Sequence, residues 1–281
     1  MRNPFSRSSL IALGLSLSFS AAHAAEDKAF RVCADPVNPP FSERDGGGFE
    51  NRIAELFAKE LHQKVEYTWF PQRMGFVRNT LKARKEDNEQ EWKCDVVMGV
   101  PAGWDQVATT KPYYTATYAM VYNRRAGGLE NLKEAADLLA LAPETLAGLH
   151  IAMFDHSSGT DWLHKHGLTL NAIPYQSMTG DASVNTAMTM LEDFKSGKLD
   201  VAILWGPMAA YVAQHAPKGT VGLVAMRNEA DVRFEFPIAM GVRQPDTERR
   251  QQLDELIEKK APQIAAILKQ YGVPVVERSG E

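Results

Sequence analysis

The chain is short of cysteine, of surplus positive charge and of long apolar runs, and each shortage removes a class of function. Among its 281 residues only Cys33 and Cys94 carry thiols. Two cysteines alone do not make a structural zinc site, which needs further ligands to reach four. In an oxidising compartment they could instead pair with each other. Lys and Arg number 31 against 35 Asp and Glu, a formal charge of -4, and no basic stripe appears. Nucleic acid and anionic membranes are therefore poor partners. The longest apolar stretch, Leu10-Ile-Ala-Leu-Gly-Leu-Ser-Leu17, falls short of the roughly 20 residues a membrane helix needs. Nor is there a Gly-x-Ser-x-Gly, a Walker loop or a His-Glu-x-x-His. His164 and His166 stand two apart and would face different sides of a helix, which disfavours a metal pair. No metal and no resident cofactor are expected.

What is present at the amino terminus reads as an export signal. Arg2 and Arg7 precede the short apolar stretch, and Ala22-His-Ala24 offers small residues for cleavage near Ala25. Residues 1–24 hold two Arg and no acid, so their removal takes the formal charge from -4 to -6. The expected location is the periplasm, with no membrane insertion after cleavage. About 257 residues then remain, enough for one large domain or two of ordinary size.

Beyond residue 25, short apolar runs alternate with amphipathic stretches, the pattern of βαβ units. Phe30 to Ala34 reads as a strand. Phe49, Ile53, Leu56, Phe57 and Leu61 recur at helical spacing, which sends Glu50, Arg52, Glu55 and Lys59 largely towards water. A strand over Val65–Phe70, a helix over Gly75–Lys82 and a strand over Asp95–Val100 follow. The intervening Lys82–Lys93 stretch mixes both signs of charge and reads as a solvated helix extension or loop, with Trp92 a possible partner contact. After the glycines of Arg124-Arg-Ala-Gly-Gly128 a second set begins: a strand over Leu149–Met153, a helix capped from Ser157, a helical stripe from Val184 to Phe194, and a strand over Val201–Trp205. A strand at Ile238–Val242 and a helix over Thr247–Gln270 close the chain. This order predicts two α/β lobes, each a mainly parallel sheet flanked by helices, joined by more than one crossing and able to close by hinge motion. The expected division is 25–123 for the first part of lobe 1, 127–236 for lobe 2, and 237–281 for the return to lobe 1.

The segment from Asp95 to Tyr122 is the most informative. Val96, Val97 and Met98 make a strand apolar on both faces, which belongs inside a parallel sheet. Such sheets bind ligands beyond the carboxyl ends of their strands. Gly99, Pro101, Gly103 and Trp104 stand at such an end, followed by the aromatic Lys111-Pro-Tyr-Tyr114. The two cysteines flank this region, and aligning the strands by their ends offsets them by about three residues, or ~10 Å. A bridge needs Cα atoms within ~7 Å, so the spacing leaves their pairing open.

Four segments in order resemble the type II periplasmic solute-binding proteins, in the group related to amino-acid receptors (family 3). They are Arg31-Val-Cys-Ala-Asp-Pro-Val-Asn-Pro-Pro-Phe41, Gly48-Phe-Glu-Asn-Arg-Ile-Ala54, Asp95-Val-Val-Met-Gly99 and Lys111-Pro-Tyr-Tyr114. That resemblance implies the two-lobed fold with two hinge crossings. Amino-acid receptors of this type usually place an Arg between the Gly-ended strand and the Pro-Tyr-Tyr segment to hold the ligand carboxylate. Pro101–Thr110 contains no Arg, and Trp205-Gly-Pro207 stands where an acid for the ligand amine is usual. A zwitterion would find its charges uncompensated in a dry cleft.

Longer segments, Trp69-Phe-Pro-Gln-Arg-Met-Gly-Phe-Val-Arg-Asn-Thr-Leu81, Cys94–Gly103 and Tyr271-Gly-Val-Pro-Val275, resemble the MoxJ (or MxaJ) and XoxJ proteins associated with quinoprotein alcohol dehydrogenases. This narrower resemblance implies a periplasmic accessory role in methanol oxidation, with a dehydrogenase carrying pyrroloquinoline quinone (PQQ) as partner. The alternative is the receptor of an ABC transporter for a small organic solute other than an amino acid. An enzyme on this scaffold would need a placed acid or base, for which Asp35, Glu43, Asp105 and Asp155 are the candidates. The candidate cleft residues, for ligand or partner, are Asp35, Trp104, Tyr113, Tyr114, Ser158, Thr160 and Trp205.

Overall fold

The structure is a computed structural model that describes residues 29–170, 172–177 and 181–276. The expected export signal at residues 1–24 lies outside them. The first run of elements is β1 (Phe30–Ala34), β2 (Val37–Asn38), β3 (Ser42–Glu43), α1 (Phe49–Glu60), β4 (Val65–Trp69), α2 (Phe76–Asn79), β5 (Val96–Pro101), β6 (Ala108–Thr109) and β7 (Tyr114–Asn123). The second is α3 (Ala135–Leu139), α4 (Pro143–Gly148), β8 (Ile151–Phe154), α5 (Ser158–Lys165), β9 (Ala172–Tyr175), α6 (Thr186–Lys195), β10 (Val201–Trp205), α7 (Gly206–His215) and β11 (Val221–Ala225). The chain then returns through β12 (Glu235–Val242) to α8 (Thr247–Gln270).

The main sheet runs β4-β1-β5-β12-β7-β10-β8-β9, with β6 on β12 and β11 on β7. Strands β4, β1 and β5 are mutually parallel, as are β10, β8 and β9. The antiparallel β7 and β12 join the two groups. Tyr114–Thr117 of β7 pairs with β12, while Tyr118–Asn123 pairs with β10 and β11. One strand therefore serves both halves. At that crossing Gly206 leaves no room for a side chain, because a Cβ there would fall 2.1 Å from the Thr117 carbonyl oxygen and 2.4 Å from Pro274.

Each half has a core on both faces of its sheet. In the first, Phe49, Ile53 and Phe57 of α1 meet Val32, Val96 and Met98 together with Leu253 and Ile257 of α8. Burying each of those α1 side chains contributes about 1.5–3 kcal/mol. On the opposite face Phe76, Val77 and Leu81 cover Cys33, Val97 and Val100. In the second half Trp162 and Leu163 pack on Ile151, Val201 and Ile203, and Met190, Phe194 and Val212 pack behind Ala152, Ala202 and Leu204.

Two local expectations change, and between them the charged stretch takes one of its two expected forms. The helix read over Gly75–Lys82 is one turn long: Gly75 enters it at φ 88°, and Thr80, at φ -122° and ψ -85°, leaves helical geometry while its hydroxyl bonds back to the Phe76 carbonyl. The charged Lys82–Lys93 stretch is a loop closed by an Arg84–Trp92 bridge, and the Trp92 ring lies 3.3 Å from the Arg84 guanidinium and 4.9 Å from that of Arg243. Glu50, assigned to water from the helical stripe, is buried, because the start of α1 tucks under the carboxyl end of β5.

Cys33 and Cys94 form a disulfide with Cα atoms 5.4 Å apart. The offset along the strands is real, since Cys33 stands beside Val97 rather than Cys94. Before Asp95, however, the chain crosses the sheet face instead of prolonging the strand. The Lys93 carbonyl accepts a 2.7 Å bond from Thr68, which neighbours Cys33 in register. Beside it Asp95 takes two bonds from Arg31, at 2.8 and 3.1 Å, and one of 2.7 Å from the buried Arg243. Burial would lift this carboxylate, but the two guanidinium groups outweigh it and hold it below the usual range.

Candidate functional site

A cavity of about 460 Å³ opens at the carboxyl ends of β5 and β10, between the two halves. Gly99, Val100 and Pro101 give one wall, and Tyr114, Tyr118, Phe236 and Ile238 from the crossing strands give another. Trp205 closes the far side; Phe41, Asn38 and Gln72 come from loops of the first half. No Lys, Arg or His is among these residues. Tyr118, Trp205 and Phe236 form a cluster of mutually edge-on rings, with centroids 5.4 to 6.2 Å apart.

One ionisable side chain of the lining stands out: Glu50 in the first turn of α1. The turn is held by Asn51, whose side-chain oxygen accepts from the backbone N–H of Gly48 and Glu43 at 3.1 and 2.9 Å, while Glu50 N–H donates to the Phe41 carbonyl. This fixes Glu50 to point beneath Gly99. A Cβ at position 99 would stand 2.3 Å from Glu50 Oε1, so the glycine that ends β5 is what admits the carboxyl. Glu50 is 9 % exposed, and no described side chain pairs with its carboxyl. Loss of hydration alone pushes its pKa up to about 8. Tyr113 and Tyr114 are likewise raised, first by burial.

The structure brings some of the sequence-derived residues together and separates others. Tyr114 and Trp205 line the cavity. Ser158 sits beside the Tyr118 hydroxyl and partly offsets the upward shift that burial gives that phenol. Asp35 borders a smaller adjoining space of about 120 Å³, and its two oxygens accept from the backbone N–H of Val37 and Gln72 at 2.8 and 2.6 Å. Thr160 completes the cap of α5: its N–H donates to Ser157 Oγ at 3.1 Å and its hydroxyl to the Phe154 carbonyl at 2.5 Å. Tyr113 faces a groove beside α8. Trp104, like Phe70 and Ala102, packs against the buried cluster on the sheet face that carries the disulfide, and is not part of the cavity lining.

The remaining candidate acids are also spread out. Burial, then Asp45, raises Glu43, whereas hydrogen bonds from Ser177 lower Asp155. Asp105 lies exposed in the turn after β5. Among the described residues no group of three or more His, Cys, Asp or Glu is placed to hold a metal. Sequence reasoning missed Glu50, Tyr118, Phe41 and Phe236. Their shared signal, weak in one dimension, is that each belongs to or adjoins a segment read as a cleft turn or a crossing strand.

The two halves touch across the mouth of the smaller space. Asn185, the N-cap of α6, donates from Nδ2 to the Pro39 carbonyl at 2.6 Å and to Asn38 Oδ1 at 3.1 Å, and Arg73 reaches the Asp181 carbonyl.

No family model matches the chain. It is 31% identical over 271 residues to the protein MoxJ of Methylorubrum extorquens, spanning 91% of this chain and 85% of that one. Among solved structures it is similar to the periplasmic binding protein XoxJ from Methylobacterium extorquens AM1, at 31% identity and a TM-score of 0.69 over 89% of this chain and all of the other. MxaJ from Methlophaga aminisulfidivorans MPT also superposes with a TM-score of 0.69, at 27% identity over 88% of this chain and all of that one.

Proposed function

The chain belongs to the MoxJ family of periplasmic binding proteins, with MxaJ and XoxJ, and from that membership we propose a periplasmic accessory protein of methanol oxidation that acts on a PQQ-dependent methanol dehydrogenase. Its role there is assembly, activation or docking, as a binding protein rather than an enzyme. In this reading residues 25–123 and 237–281 form one lobe and 127–236 the other, moving about β7 and β12.

The observation that carries the reading is the charge content of the cleft. Among the described residues its lining holds no Lys, Arg or His, and Trp205 occupies the second-half strand end where a receptor for a free amino acid needs an acid. A carboxylate brought into this cavity would meet an aromatic wall and an unpaired carboxyl, and would lose its hydration without compensation. The scaffold of an amino-acid receptor is thus present without that receptor's anchors, while similarity to MoxJ extends over nine tenths of the chain.

Affinity capture of the tagged protein from periplasm, with the dehydrogenase assayed for activity and bound PQQ in strains with and without the chain, tests the proposal. Recovery of the dehydrogenase and reduced holoenzyme activity in the deletion strain are expected. Normal activity with no co-purification would sink it.

A further inference from the structure

We propose that the cavity is a binding site for a small organic cation, an alkylammonium, whose charged nitrogen pairs with Glu50 and whose alkyl groups rest against Tyr118, Trp205 and Phe236. The inference goes beyond the dehydrogenase partnership and does not rest on it.

Three independent features converge. First, Glu50 is nine-tenths buried, lines the cavity and has no hydrogen-bonding or charged partner among the described residues. An unpaired buried carboxyl is costly, and the turn held by Asn51 together with the bare Gly99 keeps it there. Second, three aromatic rings with centroids 5.4 to 6.2 Å apart belong to the same lining, Tyr118 and Trp205 together with Phe236, whose ring also has the Arg233 guanidinium at 4.8 Å. Aromatic rings attract cations through their faces, most strongly when the site is desolvated. Third, among the described residues the lining holds no Lys, Arg or His, so none of them offers a positive group that competes for Glu50. An anion gains nothing here, and a neutral alkyl ligand leaves the carboxyl unpaired. An alkylammonium satisfies the carboxyl and the rings at once, and a volume of about 460 Å³ admits one readily.

The groups around Glu50 make the binding pH-dependent in a definite direction. The titratable groups that interact with Glu50 are Tyr114 at the start of β7, Tyr113 just before it and Tyr67 in β4; all three have phenols raised by burial and stay neutral below pH 10. Glu50 is then the group that titrates, near pH 8. A cation binds its ionised form, so affinity should rise by nearly tenfold per pH unit below about 8 and level off above it.

Three ligands of similar shape separate the possibilities: tert-butylammonium, tert-butanol and pivalate, titrated calorimetrically into the full protein between pH 6 and 9. At about 10 mM a five-atom ligand gaining about 0.8 kcal/mol per atom is near saturation. The expected result is binding of the cation alone, loss of at least about tenfold in Glu50→Gln, and a loss of about three- to tenfold in Trp205→Leu with the pH dependence retained. Glu50→Gln removes a buried ionisable group and should fold, which its thermal unfolding verifies. Equal binding of tert-butanol, unchanged affinity in Glu50→Gln, or no cation binding up to that concentration overturns the proposal.

Discussion

Asn185 and Pro39 stand on opposite halves of the protein and are joined by a 2.6 Å hydrogen bond from the Asn185 side-chain amide to the Pro39 carbonyl. The same Asn185 caps α6, its Oδ1 accepting from Met188 N–H at 2.9 Å. One side chain thus starts a helix with its oxygen and ties the halves with its nitrogen.

Two substitutions separate these roles. Asn185→Ala should cost about 2 kcal/mol, roughly 1 for the cap and 1 for the bond across the cleft. Asn185→Asp keeps the cap acceptor but loses the donor and brings a carboxylate to the Pro39 carbonyl. It should therefore leave α6 intact while increasing the radius of gyration by small-angle scattering. If both variants scatter like the parent protein, the contact does not govern closure.

The disulfide closes a sequence separation of 61 residues. In the chain-entropy account such a link stabilises by about 4 kcal/mol. A Cys33→Ser and Cys94→Ser double variant should lose stability on that scale in urea unfolding, with little change in the native circular dichroism.

Glu50 sets a pH dependence of stability. Its folded pKa, about 8, lies above that of an exposed glutamate, so the folded state holds the extra proton between those values. Stability therefore falls as pH rises from about 4.5 to 8, by up to about 5 kcal/mol from this group. Glu50→Gln should flatten that decline and unfold at a higher temperature than the parent at pH 9.

Asp95 acts in the opposite sense. Its carboxylate is held below the usual range, so the contribution is present at neutral pH and disappears as pH falls through the folded value. Arg243 is buried, pairs with Asp95 and Asp246, and also donates to the carbonyls of Leu81 and Cys94. Arg243→Met leaves those acceptors without their donor and should cost about 3–5 kcal/mol. Arg31→Met, at the more exposed side of the same carboxylate, should cost clearly less. Equal losses in thermal unfolding would contradict this ranking.

Much of the architecture was legible from the chain because it rests on local periodicity. The doubly apolar Val96-Val-Met98, the helical stripe of Phe49, Ile53 and Phe57, and the Ser157 cap carry their geometry in neighbouring residues. Tyr114 and Trp205 were findable as cleft residues for the same reason, since they follow strand ends or lie on crossing strands. Trp104 shows the limit: its place after β5 fits a cleft, but the turn sends it to the other sheet face.

The sequence by itself determined the alternation of strands and helices, the two-part organisation and the absence of the charged anchors of an amino-acid receptor. Only the tertiary structure decided that Cys33 meets Cys94, that Asp95 lies between two arginines, and that Glu50 turns from the solvent-facing side of a helix into an apolar cavity. The physical reason is that those outcomes depend on where chain segments cross. A carboxyl becomes buried because a glycine 49 positions later has no side chain to exclude it, and helical periodicity along the chain contains nothing of that crossing.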